Sequence, residues 1–307
     1  MTTGRFAPSP TGPLHVGNLR TALIAWLVAR SAGGSFLLRM EDLDAATSSE
    51  RHERSQLDDL AVLGIDHDGT VVRQRERARH YDTAIATLVE RGLTYECYCT
   101  RREIRLEIER AVSAPHGPIG AYPGTCRDLT PAQRAARRSE RPPAFRLRAD
   151  DIEVTVGDEF AGTCTGVVDD FVLRRSDGVP AYNLAVVVDD ADQGIDVVTR
   201  GDDLLESTPR QVLLQRLLGV PTPRHVHVPL VLGPDGQRLA KRHGAVTLAD
   251  LAAEGVTAAR VRDALIASLG LSPAPDLYHL AGSFDLETVR RRGRRPVTID
   301  ELRRFWM

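Results

Sequence analysis

The chain has 307 residues, 42% of them hydrophobic, and a formal net charge of −2 at pH 7. That is ample chain for about two domains with buried cores, and it lacks the basic excess of a protein coated by nucleic acid, so any RNA contact must be local. The N-terminus reaches Arg5 and a proline-rich loop too soon for a signal-peptide core, and no apolar run of about 18 residues follows, so a cytoplasmic protein without membrane spans is expected. Four cysteines in this length do not read as a disulfide framework, and the close pair Cys97 and Cys99 suggests a metal.

The first informative stretch is Arg5-Phe6-Ala7-Pro8-Ser9-Pro10-Thr11-Gly12-Pro13-Leu14-His15-Val16-Gly17-Asn18. Pro8, Pro10 and Pro13 fix three φ angles and Gly12 permits a sharp turn, which predicts a strand, a stiff loop and then a helix capped at Asn18. Leu19, Ala22, Leu23, Trp26 and Leu27 form one stripe at helical period, and Gly33-Gly34 ends it. The positive end of this helix faces the loop and attracts phosphate, and His15 can add a donor there. Ser35 to Met40 follows as a short apolar strand. Glu41-Asp42-Leu43-Asp44 falls at its C-terminal end, where ligands sit in parallel α/β sheets. Glu41 can hold an ammonium group, whereas Asp42 and Asp44 read as the start of the next helix. Residues 49–63 and 76–91 are expected helices, giving the strand and helix alternation of a doubly wound half-domain.

From Tyr95 the texture changes to Cys97-Tyr98-Cys99, an Arg-rich helix, a Pro/Gly stretch and Cys126, so 95–179 reads as an insertion. Cys164 reads as packing. Arg146 to Arg148, Glu153 to Val156 and Asp169 to Arg175 alternate as exposed strands, ending at the Ser176-Asp177-Gly178 turn. Pro180 to Asp190 with Thr199-Arg200-Gly201-Asp202-Asp203 is the second informative block, and within it Val186 to Val188 reads as a buried strand. Thr208-Pro209 opens another helix, and Val226 to Leu232 is the next strand. A Gly233 to Gly236 turn leads to Arg238-Leu239-Ala240-Lys241-Arg242. Lys241 is the single lysine among 40 basic residues. A compact ammonium is retained there against a strong arginine bias, as a tight phosphate site requires. Beyond Val246 a helix is expected from Leu248 through Leu269, then a proline-rich linker and a basic helix toward Trp306. Arg101, Arg102 and Arg105, then Arg134, Arg137 and Arg138, then Arg290 to Arg292 with Arg294 and Arg295, read equally as basic patches or solvated helix faces.

His15-Val16-Gly17-Asn18 resembles the HIGH signature of class I aminoacyl-tRNA synthetases, and Arg5 to Gly12 resembles the longer form found in glutamyl enzymes. Asn18 departs from the final His. Arg238 to Arg242 resembles the KMSKS loop, with Ala240 lacking its hydroxyl. The resemblance implies a Rossmann-like α/β fold with a doubly wound parallel sheet, an inserted zinc-binding domain and a C-terminal helical region. The implied division is 1–94 and 180–245 for the halves of the catalytic domain, 95–179 for the insertion and 246–307 for a stem-contact-like region. It further implies that His15, Gly17 and Lys241 bind ATP with Mg²⁺, His15 and Lys241 serving catalysis. Arg5, Ala7, Ser9, Glu41, Tyr182 and Arg200 would bind L-glutamate. An acid, a hydroxyl and cations suit a substrate with two carboxylates and one ammonium.

Cys97-x-Cys99 with Tyr122-x-x-x-Cys126 resembles the pattern of the glutamyl-queuosine branch, which coordinates one structural zinc through three Cys and one Tyr; His116 stays open as a substitute for Tyr122. That branch implies transfer of glutamate to the queuosine base at the wobble position of tRNA(Asp), without the anticodon-binding domain of a full glutamyl-tRNA synthetase, by a monomer. A truncated glutamyl-tRNA synthetase charging a tRNA 3′ end and a non-catalytic tRNA-binding paralogue are the alternatives.

Overall fold

The computed structural model describes residues 2–111, 122–239, 243, 246–292 and 296–306. The chain begins β1 (Thr3–Phe6), α1 (Val16–Ser31), β2 (Ser35–Met40), α2 (Glu50–Val62), β3 (Val72–Arg73), α3 (Ala78–Glu90) and β4 (Thr94–Cys97). It continues with α4 (Arg101–Ala111), α5 (Pro131–Glu140), β5 (Ala144–Leu147), β6 (Ile152–Asp158), β7 (Gly162–Val168) and β8 (Val172–Arg174). Then come α6 (Tyr182–Asp192), β9 (Val197–Gly201), α7 (Thr208–Leu218), β10 (Arg224–Val228) and β11 (Val231–Leu232). The last elements are α8 (Leu248–Ala253), α9 (Ala258–Ala267), α10 (Leu277–Gly282), α11 (Leu286–Arg292), β12 (Val297–Thr298) and α12 (Ile299–Trp306).

Seven strands form the main sheet in the order β3-β2-β1-β9-β10-β6-β7, parallel except where β7 returns antiparallel to β6. Strand alternation divides its chemistry. Phe6, Phe36, Leu38, Val197, Val226 and Val228 share one apolar core with α1 and the C-terminal helices. The residues between them, Arg5, Arg39, Arg200 and His227, emerge on the opposite face, where α6 supplies Asp190 to both Arg5 and Arg39 and Tyr182 to Arg200. The sheet is therefore apolar toward α1 and ionic toward α6. Helix α1 is buried almost all round, from Val16 to Ala29, rather than along one stripe.

Several expectations change. Helix α1 starts at Val16 with His15 as its N-cap, not Asn18: His15 is extended (φ −89°, ψ 163°) and its ring takes the capping role of a short polar side chain. Val186 to Val188 lies in helix α6, not in a strand. Asp189 and Asp190 both approach Arg39, at 3.7 and 2.8 Å, which adjacent residues achieve on a helix but not across the alternating faces of a strand. Asp42 and Asp44 do not start α2, which Ser49 caps. Asp42 is buried, accepting the Arg75 N–H at 2.9 Å, and Asp44 accepts from Ala46 in a turn. The helix expected over 248–269 breaks into α8 and α9 at Gly255, whose φ of +81° no helix accommodates.

Strands β4, β5 and β8 form a separate three-stranded antiparallel sheet beside the cysteine cluster. The hairpin β6–β7, read from sequence as part of the insertion, instead extends the main sheet, where His225 of β10 pairs with Asp158 of β6. Strands β11 and β12 pair in parallel and tie the C-terminal helices to the segment after β10. Among the described residues no helix is long and apolar enough to cross a membrane.

Candidate active site

A cleft of about 570 Å³ opens at the C-terminal ends of β1, β2, β9 and β10. Arg5, Ala7, Ser9, His15, Gly17, Glu41, Tyr182 and Arg200 all line it, so the structure brings together every nucleotide- or glutamate-site residue expected from sequence that it describes. Lys241 lies outside the described residues. The segment bearing it is flanked by Leu239, whose N–H donates to Val231 O at 3.1 Å, and by Val246, whose carbonyl accepts from Val16 N at 2.8 Å.

Three prolines leave the first loop short of N–H donors, so its carbonyls find partners elsewhere. Gln56 donates to Ser9 O at 3.0 Å and Gly12 O at 2.7 Å, Glu41 N–H to Pro8 O at 2.9 Å, and Ser49 N–H to Pro10 O at 3.0 Å. The loop delivers His15 to the start of α1. His15 Nδ1 accepts the Asn18 N–H at 3.2 Å while Asn18 Oδ1 accepts the His15 N–H at 3.2 Å. With Nδ1 used as acceptor, the neutral ring carries its proton on Nε2, a donor suited to a phosphate oxygen. Burial first, and then the Arg238 guanidinium, lower the His15 pKa to about 4, so the ring is neutral at physiological pH.

Gly17 lies so close that a Cβ would sit 2.9 Å from His15 Nδ1 and Cε1. Gly17→Ala is therefore expected to lower the rate of ATP–pyrophosphate exchange about 10²-fold by displacing the ring, the size of loss typical of one misplaced transition-state donor. Stability should not fall in step, because Ala is favoured over Gly in a helix by about 1 kcal/mol. Parallel loss of thermal stability and activity would contradict this account.

The side of the cleft lined by Arg5, Glu41 and Arg200 is a set of buried charges. Arg5 meets Asp190 through Nε at 3.2 Å and Nη2 at 3.4 Å and donates to Thr199 O. Arg39 bonds Asp190 at 2.8 Å and approaches Glu41 at 3.6 Å, and Arg77 meets Asp189 at 2.6 Å. Burial pushes the Asp190 carboxyl up, but Arg5 and Arg39 outweigh it and hold it below the usual range. At Glu41 burial prevails over Arg39 and Arg5 and raises the carboxyl. Arg200 differs: its partners are His227 Nε2 at 2.9 Å, Tyr182 Oη at 3.2 Å, Thr208 Oγ1 at 3.1 Å and Leu204 O at 3.4 Å, all neutral. Among the described residues no carboxylate lies within ion-pair distance of it. An arginine that is 5% exposed beside a cleft, with no carboxylate in contact among the described residues, is chemically suited to an incoming carboxylate.

The histidines behind this wall make stability depend on pH. His225 is 2% exposed and stacked on His227, and burial first, then Arg200, lowers its pKa to about 3. His15 and His225 both have folded pKa values below the ordinary 6.5, so between pH 6.5 and those values the unfolded chain binds more protons. Their contribution is present above pH 6.5 and is lost as pH falls. Urea unfolding at pH 5 should give a stability roughly 2 kcal/mol or more below that at pH 7.5, and His225→Asn should shrink the difference. A flat profile from pH 7.5 to 5 would refute the assignment.

The cysteines form a second centre, away from the cleft. The Sγ atoms of Cys97, Cys99 and Cys126 lie within 4.8 Å of one another, with Cys99 and Cys126 at 3.5 Å. Tetrahedral zinc with Zn–S of about 2.3 Å requires sulfurs about 3.8 Å apart, so the set fits. Tyr122 is brought in as well: its Oη is 3.3 Å from Cys97 Sγ and 3.5 Å from Cys99 Sγ and accepts the Cys126 N–H at 3.0 Å. The Arg146 guanidinium lies 3.8 Å over the Tyr122 ring and holds it in place. Three thiols and a phenol give four donors with no open position, a structural rather than a catalytic arrangement. His116 lies outside the described residues. Asp169 accepts from Tyr122 N at 3.3 Å and from Arg210 of α7 at 2.6 Å, fastening the centre to the main body.

Arg101, Arg102 and Arg105 stand exposed on α4. Arg290 and Arg291 are engaged with Glu287 at 2.6 and 3.0 Å, the solvated-face reading. Sequence reasoning missed Arg39, Gln56, Asp158, Asp190 and His227. Only Asp190, inside the second informative block, gave a local signal.

Geometry and sequence agree on the class. The chain matches the family of tRNA synthetases class I (E and Q), catalytic domain, over residues 1–276, and it belongs to that family. It is a ligase-type enzyme of glutamate–tRNA ligase character. Within the family it is 60% identical over 279 residues to the glutamyl-Q tRNA(Asp) synthetase of Nocardia farcinica, covering 91% of this chain and 88% of that one. It is 46% identical to glutamate–tRNA ligase 2 of Acidithiobacillus ferrooxidans, over 85% of this chain and 56% of the relative. Among solved structures, a glutamate tRNA ligase from Elizabethkingia meningosepticum in complex with its amino acid superposes with a TM-score of 0.84 at 27% identity, over 99% of this chain and 68% of that one.

Proposed function

We propose that the protein activates L-glutamate with ATP and Mg²⁺ and transfers it to the queuosine base at the wobble position of tRNA(Asp). The observation that carries the first half is the cleft, where the uncompensated Arg200, Tyr182 and Glu41 stand beside His15 at the start of α1. Glu41 takes the substrate ammonium, and Arg200 with Tyr182 takes a carboxylate. His15 Nε2–H and Lys241 hold phosphate oxygens while the α-carboxylate attacks the α-phosphorus and pyrophosphate leaves. No protein nucleophile is required, because alignment and stabilisation of charge on the phosphate supply the rate. An acceptor hydroxyl then displaces AMP from the adenylate.

The acceptor half is supported by the 60% identity to the Nocardia glutamyl-Q tRNA(Asp) synthetase against 46% to the Acidithiobacillus ligase, and by the Tyr122 phenol among the three thiols. Zinc at that centre would fix the fold around α4, whose exposed Arg101, Arg102 and Arg105 suit an RNA backbone. The test supplies labelled glutamate and ATP with tRNA(Asp) carrying or lacking queuosine, before and after periodate oxidation of the 3′ ribose. The expected result is tRNA-independent activation and label on queuosine that survives oxidation. Label on the 3′ end of tRNA(Glu), with none on queuosine, would make the protein a glutamate–tRNA ligase, the reading favoured by the Acidithiobacillus relative.

A further inference from the structure

Arg200 does not reach the cleft unsupported. Its Nε–H donates to His227 Nε2 at 2.9 Å, and His227 Nδ1 lies 2.6 Å from Asp158 Oδ2, at the end of β6. His227 and Asp158 are 1% and 7% exposed, so water has little part in this chain of contacts. Asp158 Oδ1 is engaged elsewhere, accepting from the N–H groups of Phe160 at 2.9 Å and Ala161 at 2.6 Å, and the carboxylate also receives His227 N–H at 3.1 Å. The geometry allows one protonation pattern. Arg200 Nε has only a donor to offer, so His227 Nε2 must present its lone pair. The ring proton then sits on Nδ1 and is donated to the Asp158 carboxylate, which fixes the tautomer. The remaining Arg200 donors go to Thr208 Oγ1 and Leu204 O on Nη2 and to Tyr182 Oη on Nη1. Nη1 thus keeps one further N–H, on a residue that lines the cleft.

We propose that Asp158 and His227 are positioning residues that hold Arg200 in one orientation with its charge uncompensated, so that the cleft selects a substrate carboxylate over a carboxamide. A partner carboxylate in contact with Arg200 would neutralise the site and admit glutamine. A neutral imidazole orients the guanidinium without spending its charge, and the anion that sets the tautomer is one ring further away. The inference rests on the reading of this cleft as a glutamate site.

Asp158→Asn is nearly isosteric but reverses the logic. Its carbonyl oxygen can keep the Phe160 and Ala161 N–H groups, which turns the amide NH₂ toward His227 Nδ1, makes Nδ1 the acceptor and places an Nε2–H against the Arg200 Nε–H. The expected result is a KM for glutamate raised about 10- to 100-fold in ATP–pyrophosphate exchange, with the KM for ATP unchanged within about twofold, and a preference for glutamate over glutamine reduced about tenfold. His227→Gln keeps an acceptor oxygen toward Arg200 without a tautomer to be set, so Asp158→Asn added to it should change the glutamate KM less than about twofold. An equal Asp158→Asn loss in both backgrounds, or glutamate and ATP affinities falling together, would overturn the proposal. Should Asp158→Asn fail to fold, His227→Gln against His227→Leu makes the same comparison, since only Gln retains the acceptor; equal glutamate KM values would overturn it. Imidazole ¹⁵N shifts of the wild-type protein, assigned to His227 by their disappearance in His227→Gln, should report a protonated Nδ1 and a bare Nε2. The opposite tautomer also refutes the proposal. This measurement needs no substrate, so a wild-type protein without glutamate-dependent exchange would sink the glutamate reading while the dyad is still decided.

Discussion

Arg200→Gln is expected to lower kcat/KM for glutamate about 10³-fold or more while leaving ATP binding within about twofold, measured by ATP–pyrophosphate exchange at varied glutamate and ATP. The size follows from what the cleft leaves unpaired. Sites built on buried polar groups reject an ill-matched ligand by about 10⁴, and here the arginine removed is, among the described residues of the cleft wall, the one with exclusively neutral partners. Arg5→Gln is the contrast. Arg5 is bound to Asp190 through two nitrogens, so its loss leaves that buried carboxylate with Arg39 as its remaining guanidinium partner and should cost about 1–3 kcal/mol of stability before any kinetic effect is read. If Arg5→Gln is the purely kinetic lesion and Arg200→Gln the unfolding one, the charge assignment is reversed.

The purified protein should carry about one zinc per chain, and removing it should unfold the region around α4 and α5. Structural zinc binding contributes about 10 kcal/mol or more of apparent free energy at neutral pH, most of which appears as folding free energy. Cys99→Ser should therefore increase hydrogen exchange across β4, α4 and the loop bearing Cys126, and abolish transfer to RNA, while glutamate activation falls far less. The cleft lies outside this centre and is linked to it through contacts such as Arg210 to Asp169. Less than a tenth of an equivalent of zinc would remove the site. Loss of activation ahead of loss of protection would assign the metal to chemistry instead.

What the sequence made legible is what local spacing encodes. The proline-rich loop, the glycine stop after α1 and the Thr208-Pro209 start of α7 each carry their own signal within a few residues. Cys97-x-Cys99 and Tyr122-x-x-x-Cys126 likewise identified the atoms that meet. His15 as a cap was not legible, because an imidazole seldom plays that part and Asn18 offered a conventional candidate beside it. Helix α6 was misread because a valine run shows no period, and the deciding constraint, that Asp189 and Asp190 serve one cluster of arginines, lies in β2 and at the cap of α3. Asp158 and His227 are 69 residues apart, and nothing near either announces the other; only the pairing of β6 with β10 does so.

That pairing also bears on how such a protein could be cut and recombined. Residues 95–179 look like a cassette between two halves of a catalytic domain, yet two of the seven strands of the main sheet, and the carboxylate two contacts behind Arg200, come from inside it. A chimaera that exchanged the whole stretch with a relative would import a foreign sheet edge and a foreign support for the amino-acid pocket. The seam that respects the hydrogen bonding runs instead around the cysteine centre and its small sheet, with β6 and β7 left on the catalytic side. In recombination terms, RNA preference and amino-acid preference are not cleanly separable blocks of this chain.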